Sequence, residues 1–247
     1  MNQKIWHVFV AILISMMSLS HIVGAQTMQQ NTAALNARQQ SMVKIAALTA
    51  SGDLAQLKVA LNTGLDAGMS INEINDELTQ MYAYSGFPRS LNGINTFTAV
   101  LNERKAQGIV DTQGRAASPV NDTRDKYTRG KATLEVLING TDPGKSGGIG
   151  AVNPQVETFL KEHLFADIFD SDLLTYAERE LATIAALASL PGLEPMLQSH
   201  MNMGLNVGIT QPQMLALIEV VGTSINPKQA QIATAIFNEV LASRRQQ

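Results

Sequence analysis

Apolar residues recur three and four positions apart along most of this chain, and this spacing predicts amphipathic helices. After Ser70, the apolar positions that follow this period are Ile71, Ile74, Leu78, Met81 and Tyr82. The same period runs through residues 181–188, and an apolar stretch that begins at Pro154 predicts an entry helix to the last part of the chain. Runs of alternating β-branched residues, which are typical of strands, are essentially absent. The pattern therefore predicts an all-α fold.

The apolar pattern occurs twice, in residues 36–97 and 175–237, which we call the first and second copies. Ile-Ala-Ala-Leu stands at 45–48 and again at 184–187, Gly-Leu at 64–65 and at 204–205, and Phe at 97 and at 237. A repeat of this length predicts one supersecondary unit that is present twice and packs with approximate symmetry. We therefore expect a tandem duplicated unit of four helices.

Helix starts are marked by capping boxes, in which a side-chain oxygen before the helix and a Glu or Gln three residues later satisfy free backbone amides. Four such pairs are present: Asn36 with Gln39, Ser70 with Glu73, Thr175 with Glu178, and Thr210 with Gln213. The first and third pairs occupy equivalent places in the two copies, as do the second and fourth. This correspondence supports the duplication more strongly than the scattered identities do.

The patterns divide the chain into four segments. Residues 1–25 contain Lys4, a short apolar run and a small residue at Ala25, which is typical of a signal peptide, although an uncleaved anchor is the alternative. Residues 26–106 form the first repeat, 107–153 a linker and 154–247 the second repeat. The linker predicts a short helix from about Asp122 to Ile138 and then a flexible, glycine-rich loop. We expect a periplasmic or secreted protein that makes no membrane contact after cleavage.

Charge and composition exclude several classes of function. The net charge is −3 and no block of Lys or Arg stands out, which argues against a nucleic-acid partner. The chain contains no cysteine, so thiol redox chemistry and disulfide bonds are excluded. The two histidines that follow the signal segment lie on distant parts of the chain, which argues against a metal site.

Candidate chemistry differs between the copies. The second copy has Glu180 and His200 where the first has Ser41 and Ala60. His200 lies in the middle of a predicted helix, where it is either an acid–base group that faces a cavity or a packing residue. Glu180 lies next to the apolar face of its helix, so it either leans into the core or provides a favourable charge at the helix N-terminus. The asymmetry directs the search for a site to the second copy.

Three motifs resemble those of the carboxymuconolactone decarboxylase family, which shares its fold with the alkyl hydroperoxidase D proteins. They are Arg-Glu-Leu-x-x-x-Ala-Ala-Leu at 179–187, His-x-x-x-small-x-x-x-Gly at 200–208, and Tyr-Ala-Tyr-Ser-Gly-Phe-Pro-x-x-x-Asn at 82–92. The resemblance covers nearly all of both copies. It implies an alkyl hydroperoxidase D-like helical fold that assembles into rings, so we expect self-association, with a trimer of duplicated chains.

The resemblance also implies His200 and Glu180 as a catalytic acid–base pair that works without a cofactor or a metal. Thiol peroxidase activity is excluded because the cysteines of that branch are absent. The place after the histidine where the decarboxylase branch has an arginine is Asn202. Arg89 is therefore the best candidate to bind a substrate carboxylate, with a structural ion pair as the alternative.

Tyr82 and Tyr84 are candidate donors to a substrate oxyanion, although their spacing places at least one of them in the core. We interpret His163 as a packing or interface residue. Two functions stay open at this point. One is a lyase or isomerase that acts on a small carboxylated lactone or carbonyl compound. The other is a non-catalytic ligand-binding or scaffold oligomer that retains the fold. A solvent-connected cavity at His200, with Glu180 in hydrogen-bond reach, favours the enzyme.

Overall fold

The computed structural model describes residues 34–246, and every regular element in this range is a helix. The predicted all-α fold is therefore confirmed. The predicted signal peptide, residues 1–25, lies outside the described residues. None of the helices in the described range has the length and apolar character needed to span a membrane.

The first copy contains four consecutive helices. Their bounds are Ala37–Ser51 for α1, Leu54–Asp66 for α2, Ile71–Ser85 for α3 and Phe87–Ala106 for α4. α1 and α3 begin at the predicted capping boxes, and in both boxes the two reciprocal hydrogen bonds are present. Pro88 lies in the first turn of α4, where its missing amide costs nothing.

The second copy repeats this series after the connecting region. Its helices are Tyr176–Ala188 for α8, Glu194–Asn206 for α9, Gln211–Ser224 for α10 and Pro227–Arg244 for α11. The capping boxes at Thr175 and Thr210 are also formed. Within each copy the first helix packs on the other three, and the fourth also packs on the second and the third. The two copies therefore have the same helix order and the same helix pairs.

The copies share one apolar core, at whose centre α1 packs against its counterpart α8. Every residue of α8 from Arg179 to Ala188 is buried, and small residues such as Ala46 and Ala185 let the two helices approach closely. Each central helix also packs on the third helix of the other copy, α1 on α10 and α8 on α3. Residues of the first copy are thereby brought against the second.

The glycine that both copies have in their second helix, Gly64 and Gly204, has a steric cause. A Cβ atom on Gly204 would lie 2.9 Å from Cδ1 of Ile184, and one on Gly64 would lie 3.1 Å from Cδ1 of Ile45. Both distances are shorter than the ordinary contact distance between carbon atoms. Glycine at these two positions therefore lets the second helix of each copy pack closely on the first.

The connecting region is more ordered than the sequence predicted. Its helices are α5 at Lys126–Ile138, α6 at Gly148–Val152 and α7 at Pro154–Phe159, with a 3₁₀ turn at Gly144–Ser146 and a π-helix at Leu160–Ile168. The predicted short helix is present but begins after its cap, Asp125. The predicted flexible loop contains the 3₁₀ turn and α6, and the entry helix widens into the π-helix, a form that is frequent at functional sites.

The π-helix and α5 pack directly on each other. Any side chain at Gly130 would collide with the backbone carbonyl of Lys161, so only glycine permits this approach. α5 also packs on α9, the helix that carries His200. The connecting region is thus placed over the second copy, where the sequence predicts the site.

Candidate functional site

His200 and Glu180 are brought together by the packing of α9 on α8. His200 Nδ1 lies 2.8 Å from Glu180 Oε2, which is hydrogen-bond distance. Glu180 is fully buried and the His200 side chain is 8% exposed, so the contact is largely shielded from water. Glu180 therefore leans into the core, as one of its two interpretations expected, and is not a surface charge at the helix N-terminus.

This contact assigns different tasks to the two nitrogens of the imidazole. A carboxylate that accepts from Nδ1–H fixes the ring in the tautomer whose Nε2 is a proton acceptor. Nε2 has no hydrogen-bond partner within residues 34–246 and is not one of the fully buried polar atoms. Since His200 lines a cavity, Nε2 is the nitrogen available to a ligand there.

Tyr84 reaches this site from the first copy. Its ring stands edge-on to the His200 imidazole, with the ring centroids 5.3 Å apart. The hydroxyl is buried, and the Thr183 side chain near it does not reach good hydrogen-bond geometry. Burial raises the pKa of the Tyr84 hydroxyl, and the nearby Glu180 charge acts in the same direction. The ring of Tyr84 therefore lines the cavity, while its hydroxyl points into the protein.

A largely buried polar cluster joins α3 of the first copy to α8 of the second. We call it the interhelical polar cluster, and it consists of Asp76, Gln80, Arg179 and Thr183. Arg179 donates to Gln80 Oε1 at 2.8 Å and to Asp76 Oδ2 at 2.7 Å, while Gln80 Nε2 donates to Thr183 Oγ1 at 2.9 Å. Burial lowers the pKa of the Arg179 guanidinium, and the Asp76 charge opposes this shift.

The interhelical polar cluster positions the site from both sides. Arg179 immediately precedes Glu180, and Tyr84 lies one helical turn after Gln80, so fixing α3 on α8 also fixes these two side chains. The sequence analysis did not identify Gln80 or Arg179 as functional. Arg179 lies in one of the family motifs, which could have identified it, whereas no sequence pattern distinguished Gln80.

The cavity beside His200 has a volume of about 460 Å³, within the range of small-molecule sites. We call it the His200 cavity. One wall comes from α8 and α9, and another from Ala83 and Tyr84 of α3. The opposite side, which we call the roof, is made by five apolar residues of α5 and the π-helix: Leu134, Ile138, Leu160, Leu164 and Phe165.

The other predicted site residues lie elsewhere. Arg89 does not line the His200 cavity; its guanidinium donates to the carbonyl of Ala50 near the end of α1, and it has no ion pair within residues 34–246. Tyr82 also lies outside the lining and stacks on Phe87, with ring centroids 4.4 Å apart. His163 is half exposed, faces the Tyr82 ring and lies 3.3 Å from Asp167.

The first copy has a cavity in the corresponding place, with a volume of about 360 Å³. We call it the Ala60 cavity. Where the His200 cavity has His200 and Met196, this one has Ala60 and Gln56, 140 positions earlier. Its other lining residues include Lys44, which has an amino group, and three residues with hydroxyl groups, Thr63, Thr223 and Ser224. No histidine–carboxylate pair is present in this lining.

Residues 34–246 contain no group of three or more His, Asp or Glu side chains placed to bind a metal ion. At the His200 cavity, the imidazole of His200 can remove or return a proton at Nε2.

Two regions of the chain, residues 23–99 and 154–235, match the sequence model of the carboxymuconolactone decarboxylase family. Together the two regions make up more than half of the chain. The chain belongs to this family. Membership of the carboxymuconolactone decarboxylase family accounts for the internal repeat, since each match corresponds to one helical unit. A search of curated proteins found no match.

Proposed function

We propose that this chain is a cofactor-free enzyme that moves a proton on a small carbonyl compound or lactone, as an isomerase or a lyase. His200 is its acid–base group and Glu180 its positioning residue. The observation that supports this most directly is the 2.8 Å contact between His200 Nδ1 and Glu180 Oε2 at the edge of the His200 cavity. A histidine oriented in this way is suited to general acid–base catalysis near neutral pH.

The reaction that fits this geometry begins with a proton next to a carbonyl group. Nε2 of His200 removes that proton, and the imidazolium that forms is stabilised by the Glu180 carboxylate. Return of the proton from Nε2 to another carbon completes an isomerisation, which requires no co-reactant. In a decarboxylation, CO₂ leaves while the electrons of the broken C–C bond stay on carbon, and a protonated Nε2, which regains its proton from water afterwards, donates its proton to that carbon.

The decisive experiment compares His200→Ala with His163→Ala during turnover of a panel of small lactones and carbonyl compounds. His163 is half exposed and outside the His200 cavity, so its variant is the matched control. We expect His200→Ala to lower kcat by about 10²- to 10⁴-fold with unchanged helical circular dichroism, and His163→Ala to leave kcat unchanged. A loss below about threefold for His200→Ala would assign the chemistry elsewhere.

The alternative is a protein that binds a ligand without converting it. The observation that favours it is the apolar lining of the His200 cavity, in which the Tyr84 hydroxyl does not face a ligand. A ligand that binds by calorimetry with equal affinity to the native chain and to His200→Ala, and that is recovered unchanged, would support this alternative and contradict the enzymatic proposal.

We also propose that the chain self-associates as a trimer and that it is exported. Large apolar side chains stay exposed at the start of α4, where Phe87 is 62% and Leu91 53% accessible, which supports association. Sedimentation at micromolar concentration should give the mass of three chains, and a monomer would contradict the assembly. Export predicts that the protein recovered from the periplasm or the medium begins near Gln26, as mass spectrometry would show.

A further inference from the structure

The His200 cavity lacks a positive charge. Among the described residues that line it, none is Lys or Arg, and the one acidic residue is Asp142. The Asp142 carboxylate lies 3.3 Å from the ammonium of Lys161, which is itself 2.8 Å from Glu157. Lys161 thus serves two carboxylates, and the adjacent Lys131 pairs with Glu135 at 3.0 Å, so Asp142 has no cation to itself among the described residues.

A second negative charge lies behind the imidazole. Glu180 is fully buried, and its Oε1 has no hydrogen-bond partner in the described chain. A carboxylate ligand in the His200 cavity would therefore face like charges at both Glu180 and Asp142. Such repulsion is stronger in a site with restricted water than at an open surface.

Two arginines of the sequence motifs, Arg179 and Arg89, are engaged elsewhere. Arg179 is fully buried and donates to Asp76 and Gln80 in the interhelical polar cluster. Arg89 donates to the Ala50 carbonyl and does not line the cavity. The carboxylate-binding group that the sequence analysis expected is therefore absent from the described lining.

The roof defines what the cavity does favour. Its five side chains are all apolar, and Leu187, Leu193, Met196 and Met203 extend the apolar surface around His200. Burial of an alkyl group against such a surface is favourable in proportion to the area removed from water. The imidazole provides the main polar contact, suited to the hydrogen next to a carbonyl group.

We infer that the substrate of the His200 cavity is an uncharged carbonyl compound with an alkyl substituent, such as an alkyl lactone, and not a carboxylate. This inference rests on the proposed function and names its substrate class. It also favours isomerisation over decarboxylation, because loss of CO₂ requires a carboxylate on the substrate. The alkyl group lies under the roof, and the carbonyl end faces His200.

The first test measures binding of three probes to the full chain by calorimetry near neutral pH. The probes are a γ-lactone with a pentyl chain, the γ-lactone whose chain ends in a carboxylate, and the methyl ester of that acid. We expect the two neutral probes to bind at least about tenfold more tightly than the acid. Equal or tighter binding of the acid, or no binding of either neutral probe, would overturn the inference.

A second test introduces the missing charge. Met196 lines the His200 cavity and is 48% exposed, so Met196→Arg should fold. We expect this variant to bind the acid about tenfold more tightly than the native chain does. The matched control is Gln56→Arg at the equivalent position of the Ala60 cavity, which should change nothing. A native preference for the acid, or an equal effect of the two substitutions, would contradict the inference.

These measurements separate the substrate class from the catalytic proposal. Binding is repeated in His200→Ala, which should keep the preference for neutral probes because the roof and Asp142 are intact. Neutral probes that bind but are never converted would refute the enzymatic function and leave the binding preference standing. Turnover that occurs only with carboxylated compounds would support the enzymatic function and refute the inferred substrate class.

Discussion

The His200 and Ala60 cavities occupy equivalent places in two copies of one unit, yet only one of them combines an acid–base group with an apolar cover. In the first copy, Ser41 donates to the Ala37 carbonyl of its own helix and Ala60 provides no polar group. In the second, Glu180 and His200 bind each other beneath the roof. The two cavities therefore differ both in the histidine–carboxylate pair and in the cover that the connecting region provides.

The two copies also differ at the two places where the third helix of one copy packs on the first helix of the other. α3 and α8 are joined by the interhelical polar cluster, whereas the symmetry-related pair α10 and α1 places Ala216 and Val220 opposite Gln40 and Lys44. The polar crossing thus lies on the side of the candidate site. We infer that the first copy contributes to the site through α3, which positions Tyr84 beside His200.

The largest expected effect concerns the contact between α3 and α8. Arg179→Met leaves the partly exposed Asp76 carboxylate without its ion pair and the buried Gln80 without one of its hydrogen bonds, so we expect a loss of about 3 kcal/mol in the free energy of unfolding. The matched control is Lys44→Met, at the first-copy position equivalent to Thr183, where no hydrogen bond or ion pair within residues 34–246 is lost and the cost should be under about 1 kcal/mol. If urea denaturation gave equal losses of unfolding free energy for the two variants, the proposed difference between the α3–α8 and α10–α1 contacts would be contradicted.

A second prediction separates the roles of Glu180 and His200. Glu180→Gln can still accept from Nδ1 but loses the charge that stabilises the imidazolium. We expect kcat to fall by about tenfold to hundredfold with little change in KM, which is less than the loss in His200→Ala. Ser41→Ala at the equivalent position of the first copy should leave kcat unchanged. A fall in kcat for Ser41→Ala would place chemistry in both copies.

A third prediction uses a buried carboxyl group of the first copy. Glu77 is fully buried, and within residues 34–246 neither side-chain oxygen has a partner in good hydrogen-bond geometry, although the Ala46 amide is close; its counterpart in the second copy is the buried Leu217. Burial raises the pKa of Glu77 well above its usual range, while the Arg38 charge opposes this. Glu77→Leu should therefore stabilise the protein at neutral pH by about 1–3 kcal/mol.

The sign of the pH dependence follows from that shift. A carboxyl group whose pKa is raised by folding stabilises the protein fully below its unfolded pKa of about 4.3, and this contribution is lost as the pH rises through the folded pKa. As the pH rises over this range, the native chain should therefore become less stable relative to Glu77→Gln. Parallel pH profiles of stability would show that Glu77 does not titrate in this way.

The smallest expected effect is at an exposed ion pair that only the first copy has. Lys58 Nζ lies 2.6 Å from Glu103 Oε1, and the two side chains are 44% and 51% exposed. The second copy has Gln198 and Ser243 at these positions. Because water and salt screen such pairs, Lys58→Gln should cost under about 1 kcal/mol. A larger loss in urea denaturation would show that the first copy depends on surface charge.

Sequence alone determined the helices, the repeat and the pair of residues at the site. The capping boxes at Asn36, Ser70, Thr175 and Thr210 are formed as predicted, because a cap depends on groups only three residues apart. His200 and Glu180 were found because the first copy lacks both. A difference between internal repeats is visible in a single sequence, without any knowledge of packing.

Tertiary structure decided how the site is built. Gln80 meets Arg179 across 99 positions of sequence, and no local pattern reports a contact of that range. The roof comes from the short helix and the entry helix that the sequence predicted, but no sequence pattern predicted that these two helices would cover the His200 cavity. Arg89 matched the chemistry of a carboxylate site, but the packing of α4 directs it to Ala50 instead. Local spacing specifies which face of a helix is apolar, whereas the partner of that face depends on how all the helices pack together.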